Sequence, residues 1–376
     1  MTPLWSSQPF KAVYTIYFFI KTPPLLILLF TKYLVKPLRP FPAWGPIGNL
    51  ARTITKMVFE YIVATRAQRV LGADPTVAKE RHVKVEPAAH RLYTGVLAAT
   101  EATKPEPVDA IWLPTLPPSQ NEAAEWKKQK IALHFPAGAF IMEFNHNLSG
   151  WEVADALSKN LKVTRTVWAQ YRLSGTPETC FPAALQDALT FYRYVLSLGV
   201  DPNNVILSGD SAGGNLVIAL LRYLETSQPE AENLPLPGGA IVFSPWVHIT
   251  AQAGKDYEQC EYSRSDLLLA SLLQWGAESY LPKGELCNEV EAYISPLHHP
   301  FKLSVPLYIQ DGAAEAFHAS IKSFADEMMQ LNGDRVRIHS TRLAPHDILL
   351  SHKGFGMTDD LYASIREAYE LFEKAK

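Results

Sequence analysis

The run Gly209-Asp210-Ser211-Ala212-Gly213 is a G-x-S-x-G sequence, set directly after the apolar stretch Val205-Ile206-Leu207 and before a helical run opening at Gly214-Asn215. A serine at a sharp strand-to-helix turn is held in a strained backbone conformation, and small flanking residues let the turn close without clashes. Its oxygen then projects above the C-terminal edge of a sheet, beside the positive end of the following helix. Five such residues recur by chance. The strand before and the helix after make Ser211 a candidate nucleophile rather than part of an ordinary glycine-rich turn.

A serine hydroxyl attacks poorly until a base accepts its proton, and the base needs an acid to orient it. On a strand-turn-helix nucleophile the acid and then the histidine follow in chain order. Downstream of Ser211 stand His248, His298, His299, His318, His339, His346 and His352. His346 is best placed, in the short loop Leu343-Ala344-Pro345-His346-Asp347 after a strand candidate at 336–341. His318 lies too near the loop expected to carry the acid, and His298-His299 sit in a turn-like SPLHHP. That acid loop is Asp311-Gly312-Ala313-Ala314-Glu315, which follows the strand candidate 305–310. Both carboxylates stand past a strand end, where catalytic groups of an α/β sheet belong. Glu315, after the turn, can point back toward the serine, whereas Asp311 suits turn stabilisation.

The tetrahedral intermediate of acyl transfer needs backbone N–H groups aimed at its oxyanion. One is expected at Ala212. Others are expected from Phe135-Pro136-Ala137-Gly138-Ala139-Phe140, a small-residue loop directly after the strand candidate 130–134. Ala137, Gly138 and Ala212 are therefore the expected oxyanion-hole donors.

These residues need a scaffold of alternating elements, and the sequence supplies one. Strand candidates at 130–134, 163–169, 205–207, 240–243, 305–310 and 336–341 alternate with helical runs at 181–198, 215–225, 265–280, 319–332 and 359–374. Strands joined by helical crossovers predict an α/β fold, a mostly parallel central sheet covered by helices on both faces. An earlier helical period at 49–71 and the apolar start of the chain predict an N-terminal helical cap. The expected domains are an apolar segment over 1–40 and a cap with the first part of the core over 41–125. A catalytic core over 126–376 follows, with a cap insertion near 251–290.

The composition narrows the function. Lys+Arg 35 against Asp+Glu 38 give a net charge of −3, with no basic excess to neutralise nucleic-acid phosphates. Cys180, Cys260 and Cys287 lie far apart without a CxxC, which argues against a disulfide framework or zinc site and for a reducing, intracellular setting. No metal or dissociable cofactor is implied. Residues 12–35 form the most apolar stretch, interrupted by Lys21, Thr22, Pro23 and Pro24. Each arm alone is shorter than the about 20 residues a helix needs to cross hydrocarbon. A shallow hairpin or interfacial anchor is expected, with Lys11, Lys21, Lys32 and Lys36 toward lipid headgroups, or else a helix pair capping an apolar site. A signal peptide is disfavoured, since no small-x-small cleavage site follows the run.

From Lys130 to His352 the chain resembles the α/β-hydrolase fold, specifically the hormone-sensitive lipase (lipase/esterase) family. The resemblance rests on GDSAGG at 209–214, on Tyr171-Arg172-Leu173 followed by Phe181-Pro182-Ala183-Ala184 and Asp187, and on Asp201-Pro202. It extends to Ser244-Pro245-Trp246, Ser295-Pro296-Leu297, the Gly312-x-x-Glu315 turn and His346-Asp347. The apolar N-terminal segment is similar to that of fungal members, many of which sit in secondary-metabolite pathways. The resemblance departs at one point. The family's His-Gly-Gly-Gly oxyanion motif is met here by Pro136-Ala137-Gly138-Ala139, because an alignment through His134 leaves too long a spacing to Phe140. Backbone amides survive such a change, but a Cβ at any position needing positive φ is strained.

The expected function is a serine hydrolase cleaving a carboxylic ester, lactone or thioester of a bulky apolar small molecule through an acyl-enzyme. Ser211 would be nucleophile, His346 base and Glu315 orienting acid. The insertion at 251–290, with Trp275 and Tyr280, is expected to add apolar walls. Two alternatives stand beside this reading: an acyltransferase on the same triad, and a ligand-binding protein on a hydrolase scaffold. Some relatives became hormone receptors after losing the catalytic histidine, which this chain keeps.

Overall fold

The computed structural model describes residues 3–115, 123–226 and 234–375. Eight strands form one sheet: β1 (His82–Val85), β2 (Val108–Leu113), β3 (Ile131–Phe135), β4 (Arg165–Gln170), β5 (Val205–Asp210), β6 (Gly239–Phe243), β7 (Leu307–Gly312) and β8 (Val336–Thr341). Their spatial order is β1-β2-β4-β3-β5-β6-β7-β8. β1, β2 and β4 pair antiparallel, and every pair from β4 through β8 is parallel. The sheet therefore starts within 41–125, in the segment that also carries the cap.

Parallel strands joined by crossovers are covered on both faces, so their residues are buried whichever way they point. Every residue of β3, β5, β6 and β7 is buried. The period of two then splits the core. Val205, Leu207, Ala240 and Val242 enter one cluster, while Ile206, Ile241 and Phe243 enter the other. Between the early strands lie α3 (Ala123–Trp126), α4 (Trp151–Leu161) and α5 (Ala183–Ser197). α6 (Ala212–Thr226) leaves the turn at Ser211, and α7 (Ala253–Gln259), α8 (Ala270–Tyr280) and α9 (Asn288–Ile294) make up the insertion after β6. α10 (His318–Asn332), α11 (Ile348–Phe355) and α12 (Thr358–Lys374) complete the chain. α5, α6 and α10 cover the first face; α4, α11 and α12 cover the second.

The N-terminal segment differs from the expected hairpin. It is one helix, α1 (Phe10–Leu34), running straight through Pro23 and Pro24. Two prolines inside a helix forfeit backbone hydrogen bonds and crowd the preceding turn. The contacts that offset this loss come from a second helix, α2 (Pro46–Thr65). Tyr14 and Phe18 pack on the Tyr61 ring, with Phe18 at 4.9 Å between centroids. Hydrogen bonds between the hydroxyls of Thr15 and Tyr61 (2.9 Å) and of Tyr33 and Thr53 (3.0 Å) tie α1 to α2 near its two ends. The opposite face of α1 is exposed, with Val13, Ile16, Tyr17, Phe19, Ile20 and Ile27 in the open.

Candidate active site

The turn at Ser211 is built from backbone that tolerates no added atoms. Ser211 has φ of +52°, the left-handed region that costs a non-glycine residue roughly 1–2 kcal/mol. Its N–H donates to the Phe243 carbonyl at 2.8 Å, and its carbonyl accepts the Trp246 N–H at 3.0 Å. A Cβ on Gly209 would come 2.4 Å from the Gly213 oxygen, and one on Gly213 would come 1.9 Å from the Phe135 oxygen. Only hydrogens fit at both positions. The turn thus sits between the ends of β5 and β3, with α6 starting at Ala212.

The three residues read as a candidate triad meet above this turn. With its proton on Nδ1, His346 donates to Glu315 Oε2 at 2.6 Å, and its Nε2 accepts from the Ser211 hydroxyl at 3.0 Å. Glu315 Oε1 accepts the Gly312 N–H at 3.0 Å, so the turn after β7 aims the carboxylate back over the sheet. All three are buried. Burial lowers the pKa of His346, but the hydrogen bond and charge of Glu315 outweigh it and hold the imidazole above its ordinary value. Burial pushes the Glu315 carboxyl upward, opposed by His346. Asp311 goes elsewhere: its Oδ2 accepts from His318 Nδ1 at 2.5 Å, away from the serine.

Glu315→Gln is expected to lower kcat about 10,000-fold, as when a triad acid becomes its amide. It should also move the acid limb of the pH profile. The base works as neutral imidazole, so activity rises with pH through the histidine's pKa. Removing the carboxylate leaves burial, which lowers that pKa, and the limb should shift to lower pH. A pH profile of kcat/KM in the two proteins measures this directly.

Sequence reasoning missed Asp266. Fully buried in the insertion, it accepts the His346 backbone N–H on Oδ1 (3.1 Å) and the Ala316 N–H on Oδ2 (2.9 Å). One carboxylate therefore fixes the spacing between the histidine loop and the acid turn. No motif marks it; it stands alone before the apolar run Leu267-Leu268-Leu269.

The oxyanion loop corrects the expectation at Ala137. Its N–H donates to Asp210 Oδ1 at 3.1 Å and is spent on that bond. Among the described residues, the amides of Gly138, Ala139 and Ala212 carry no hydrogen bond, and these three remain open to a ligand. Gly138 has φ of +134°, and a Cβ there would lie 2.1 Å from the Met142 oxygen. Ala139 takes φ of +50°, which alanine reaches at modest cost. The Tyr171 hydroxyl donates to the Pro136 carbonyl at 2.7 Å and braces the loop.

Ser211 and His346 open into a cavity of about 360 Å3. Its walls are mostly apolar: Val58 and Phe59 from α2, Phe144, and Leu268, Leu272 and Leu273 from the insertion. Trp275 and Tyr280 do not line it, contrary to expectation. Trp275 lies under the Arg66 guanidinium at 4.2 Å, and Tyr280 stacks on Phe140 at 3.7 Å. A more polar cavity of about 530 Å3 backs onto the same loop through Ala137 and Met142 but contains neither Ser211 nor His346.

Comparison with known proteins follows the same lines. The sequence model of the alpha/beta hydrolase fold matches residues 132–350. An acetyl-hydrolase of Streptomyces hygroscopicus is 34% identical over 142 residues, covering 38% of this chain and 44% of that protein. An esterase of Acinetobacter venetianus is 27% identical over 218 residues, covering 57% of this chain and 66% of that protein. This chain thus spans less than two thirds of either relative's length. In structure, an esterase of the bacterial hormone-sensitive lipase family superimposes with a TM-score of 0.57 at 20% identity, over 88% of this chain and 99% of that one. An esterase/lipase from an uncultured bacterium gives 0.61 at 20% identity, over 87% and 99%.

Proposed function

The chain belongs to the α/β-hydrolase family, and from that premise we propose that it is a serine esterase, cleaving a carboxylic ester of a bulky apolar small molecule through an acyl-enzyme. The observation that carries this is the hydrogen-bonded chain Ser211–His346–Glu315 at the floor of an apolar cavity. The names of its relatives, acetyl-hydrolase and esterase, support the same reaction class.

Ser211 Oγ attacks the ester carbonyl while His346 Nε2 takes its proton. The amides of Gly138, Ala139 and Ala212 face the tetrahedral oxyanion, and Glu315 holds the imidazolium. The carbon–oxygen bond to the leaving group breaks as His346 returns its proton to the departing oxygen, which leaves as an alcohol. Water, deprotonated by His346, then attacks the acyl carbon. The acid is released and Ser211 regains its proton. Three amides without partners fit this role better than the Ala137 amide, which Asp210 already holds.

The cavity walls favour an apolar acyl or alcohol group over a charged one. A series of p-nitrophenyl esters of graded chain length tests the reading. Each methylene buried against such walls contributes about 0.8 kcal/mol, so kcat/KM should rise roughly fourfold per added methylene until the cavity is full. Absence of turnover for every chain length by folded protein would overturn it.

Residues 12–35 are proposed as a membrane contact. No acidic residue precedes Glu60, while Lys11, Lys21, Lys32, Lys36, Arg39, Arg52 and Lys56 lie before it, so this end of the molecule is cationic as well as apolar. α1 is long and apolar enough to reach across hydrocarbon. Its two hydrogen bonds to α2 favour a helix lying in the membrane surface. Co-sedimentation should increase with the anionic fraction of phosphatidylcholine/phosphatidylglycerol vesicles, and Ile16→Asp with Phe19→Asp should abolish it.

A further inference from the structure

Two aspartates flank the reacting pair in the chain, Asp210 immediately before Ser211 and Asp347 immediately after His346. Both are buried, and their carboxyl groups lie within interacting reach of each other. Asp210 belongs to the end of β5, and through Oδ1 it holds the Ala137 N–H of the oxyanion loop. Its other oxygen, Oδ2, meets no N–H or hydroxyl donor among the described residues. Asp347 belongs to the histidine loop. Its N–H donates to Ser244 Oγ at 2.9 Å, and its Oδ1 accepts the Leu350 N–H at 3.4 Å. It takes φ of +56°, so the backbone is turned to bring this side chain inward.

Two carboxylates offer each other no hydrogen, so a bond between them requires that one be protonated. Like charges in contact inside a protein do not both ionise near neutral pH, and one proton serves the pair. The surrounding groups leave that proton in place. His134 Nε2 stands 3.1 Å from Asp210 Oδ1, but burial drives the pKa of this imidazole down to about 3, so it stays neutral. Tyr171 is committed to the Pro136 carbonyl. His346 is the facing group that becomes cationic during turnover, and its own carboxylate partner is Glu315. Burial raises both acids, Asp210 to about 6 and Asp347 well above its usual range.

We infer that Asp210 and Asp347 hold one proton between them and act as positioning residues, clamping the oxyanion loop to the histidine loop. The clamp fixes Ala137, and with it the direction of the next two amides, Gly138 and Ala139. It rests on the esterase reading for its role in turnover. Loss of the shared proton places two negative charges side by side, next to the developing oxyanion, and releases the loop.

The test compares wild type with Asp347→Ala and Asp347→Asn. Alanine removes the donor, and kcat should fall at least tenfold with KM little changed, since the oxyanion forms only in the transition state. Asparagine donates an N–H to Asp210 at any pH. It should recover most of that loss and remove the alkaline decline expected of wild type once the shared proton is lost. An alkaline limb unchanged in Asp347→Asn, or a loss in Asp347→Ala that falls on KM, overturns the clamp. Urea unfolding from about pH 4 upward, where an unfolded aspartate has released its proton, reads the shared proton without turnover. The folded pair holds a proton that the unfolded chain releases, so wild-type stability should fall with rising pH relative to Asp347→Asn, with a slope of about one proton. Parallel stability curves would also overturn it. Absence of turnover in wild type, with the one-proton slope present, would instead strike the esterase reading and leave the shared proton standing.

Discussion

Ser211→Ala is expected to abolish labelling by a fluorophosphonate probe and to lower kcat/KM for p-nitrophenyl esters by roughly 10,000-fold or more. The hydroxyl is the only group removed, and the turn that holds it is fixed by backbone bonds to Phe243 and Trp246, so the fold should persist. His346→Ala should have an effect of the same order. Residues that act as one unit are not additive, so the double variant should lose little beyond either single one. Wild-type protein that is folded, fails to label and turns over no ester would end the activated-serine reading. Labelling that survives in Ser211→Ala would place the nucleophile elsewhere.

The next largest effect is expected at Gly138. Gly138→Ala should cost about 100- to 1,000-fold in kcat, the range found when one oxyanion donor is lost. The added Cβ would stand 2.1 Å from the Met142 carbonyl oxygen, at φ of +134° where side chains are rarely accommodated. The loop must move, and its amides move with it. KM should change little, because those amides are engaged in the transition state rather than in substrate binding. Ala139→Gly is the control: alanine already occupies φ of +50° there, and its removal should alter kcat only a few-fold. A Gly138→Ala protein with wild-type kcat would show that the oxyanion is held by other groups.

The contrast between these neighbours answers the question raised by the missing glycines. Where the family motif has three glycines, this chain keeps one, at the position where φ and the Met142 carbonyl forbid a side chain. Ala139 adopts a left-handed conformation open to alanine, and Ala137 does not need one. The proline that replaces the motif's histidine still has its carbonyl, which the Tyr171 hydroxyl holds.

Much of the site was legible because its constraints are local or topological. The turn that carries the candidate nucleophile is dictated by five adjacent residues and the strand and helix that flank them. Glu315 and His346 follow strands β7 and β8, and in a parallel sheet every such loop emerges at the same edge, so chain order sufficed to bring them together. The alternation of strands and helices likewise carried the fold class. β1 and the short helices α3, α7, α9 and α11 went unread, being too brief for a period to establish itself, and the 11-residue α4 was missed as well.

The sequence by itself determined the parallel part of the sheet, the candidate nucleophile and the order of the candidate acid and base, because each depends on neighbouring residues or on which strand ends first. Only the tertiary structure decided which amides are free. Asp210 takes the Ala137 N–H across 73 residues of chain, and Asp266 reaches the His346 backbone across 80. Only it decided that α1 passes unbroken through two prolines, since the compensating contacts belong to α2. Hydrogen bonds and packing between distant segments leave no period and no motif, so they become visible only once the chain has folded.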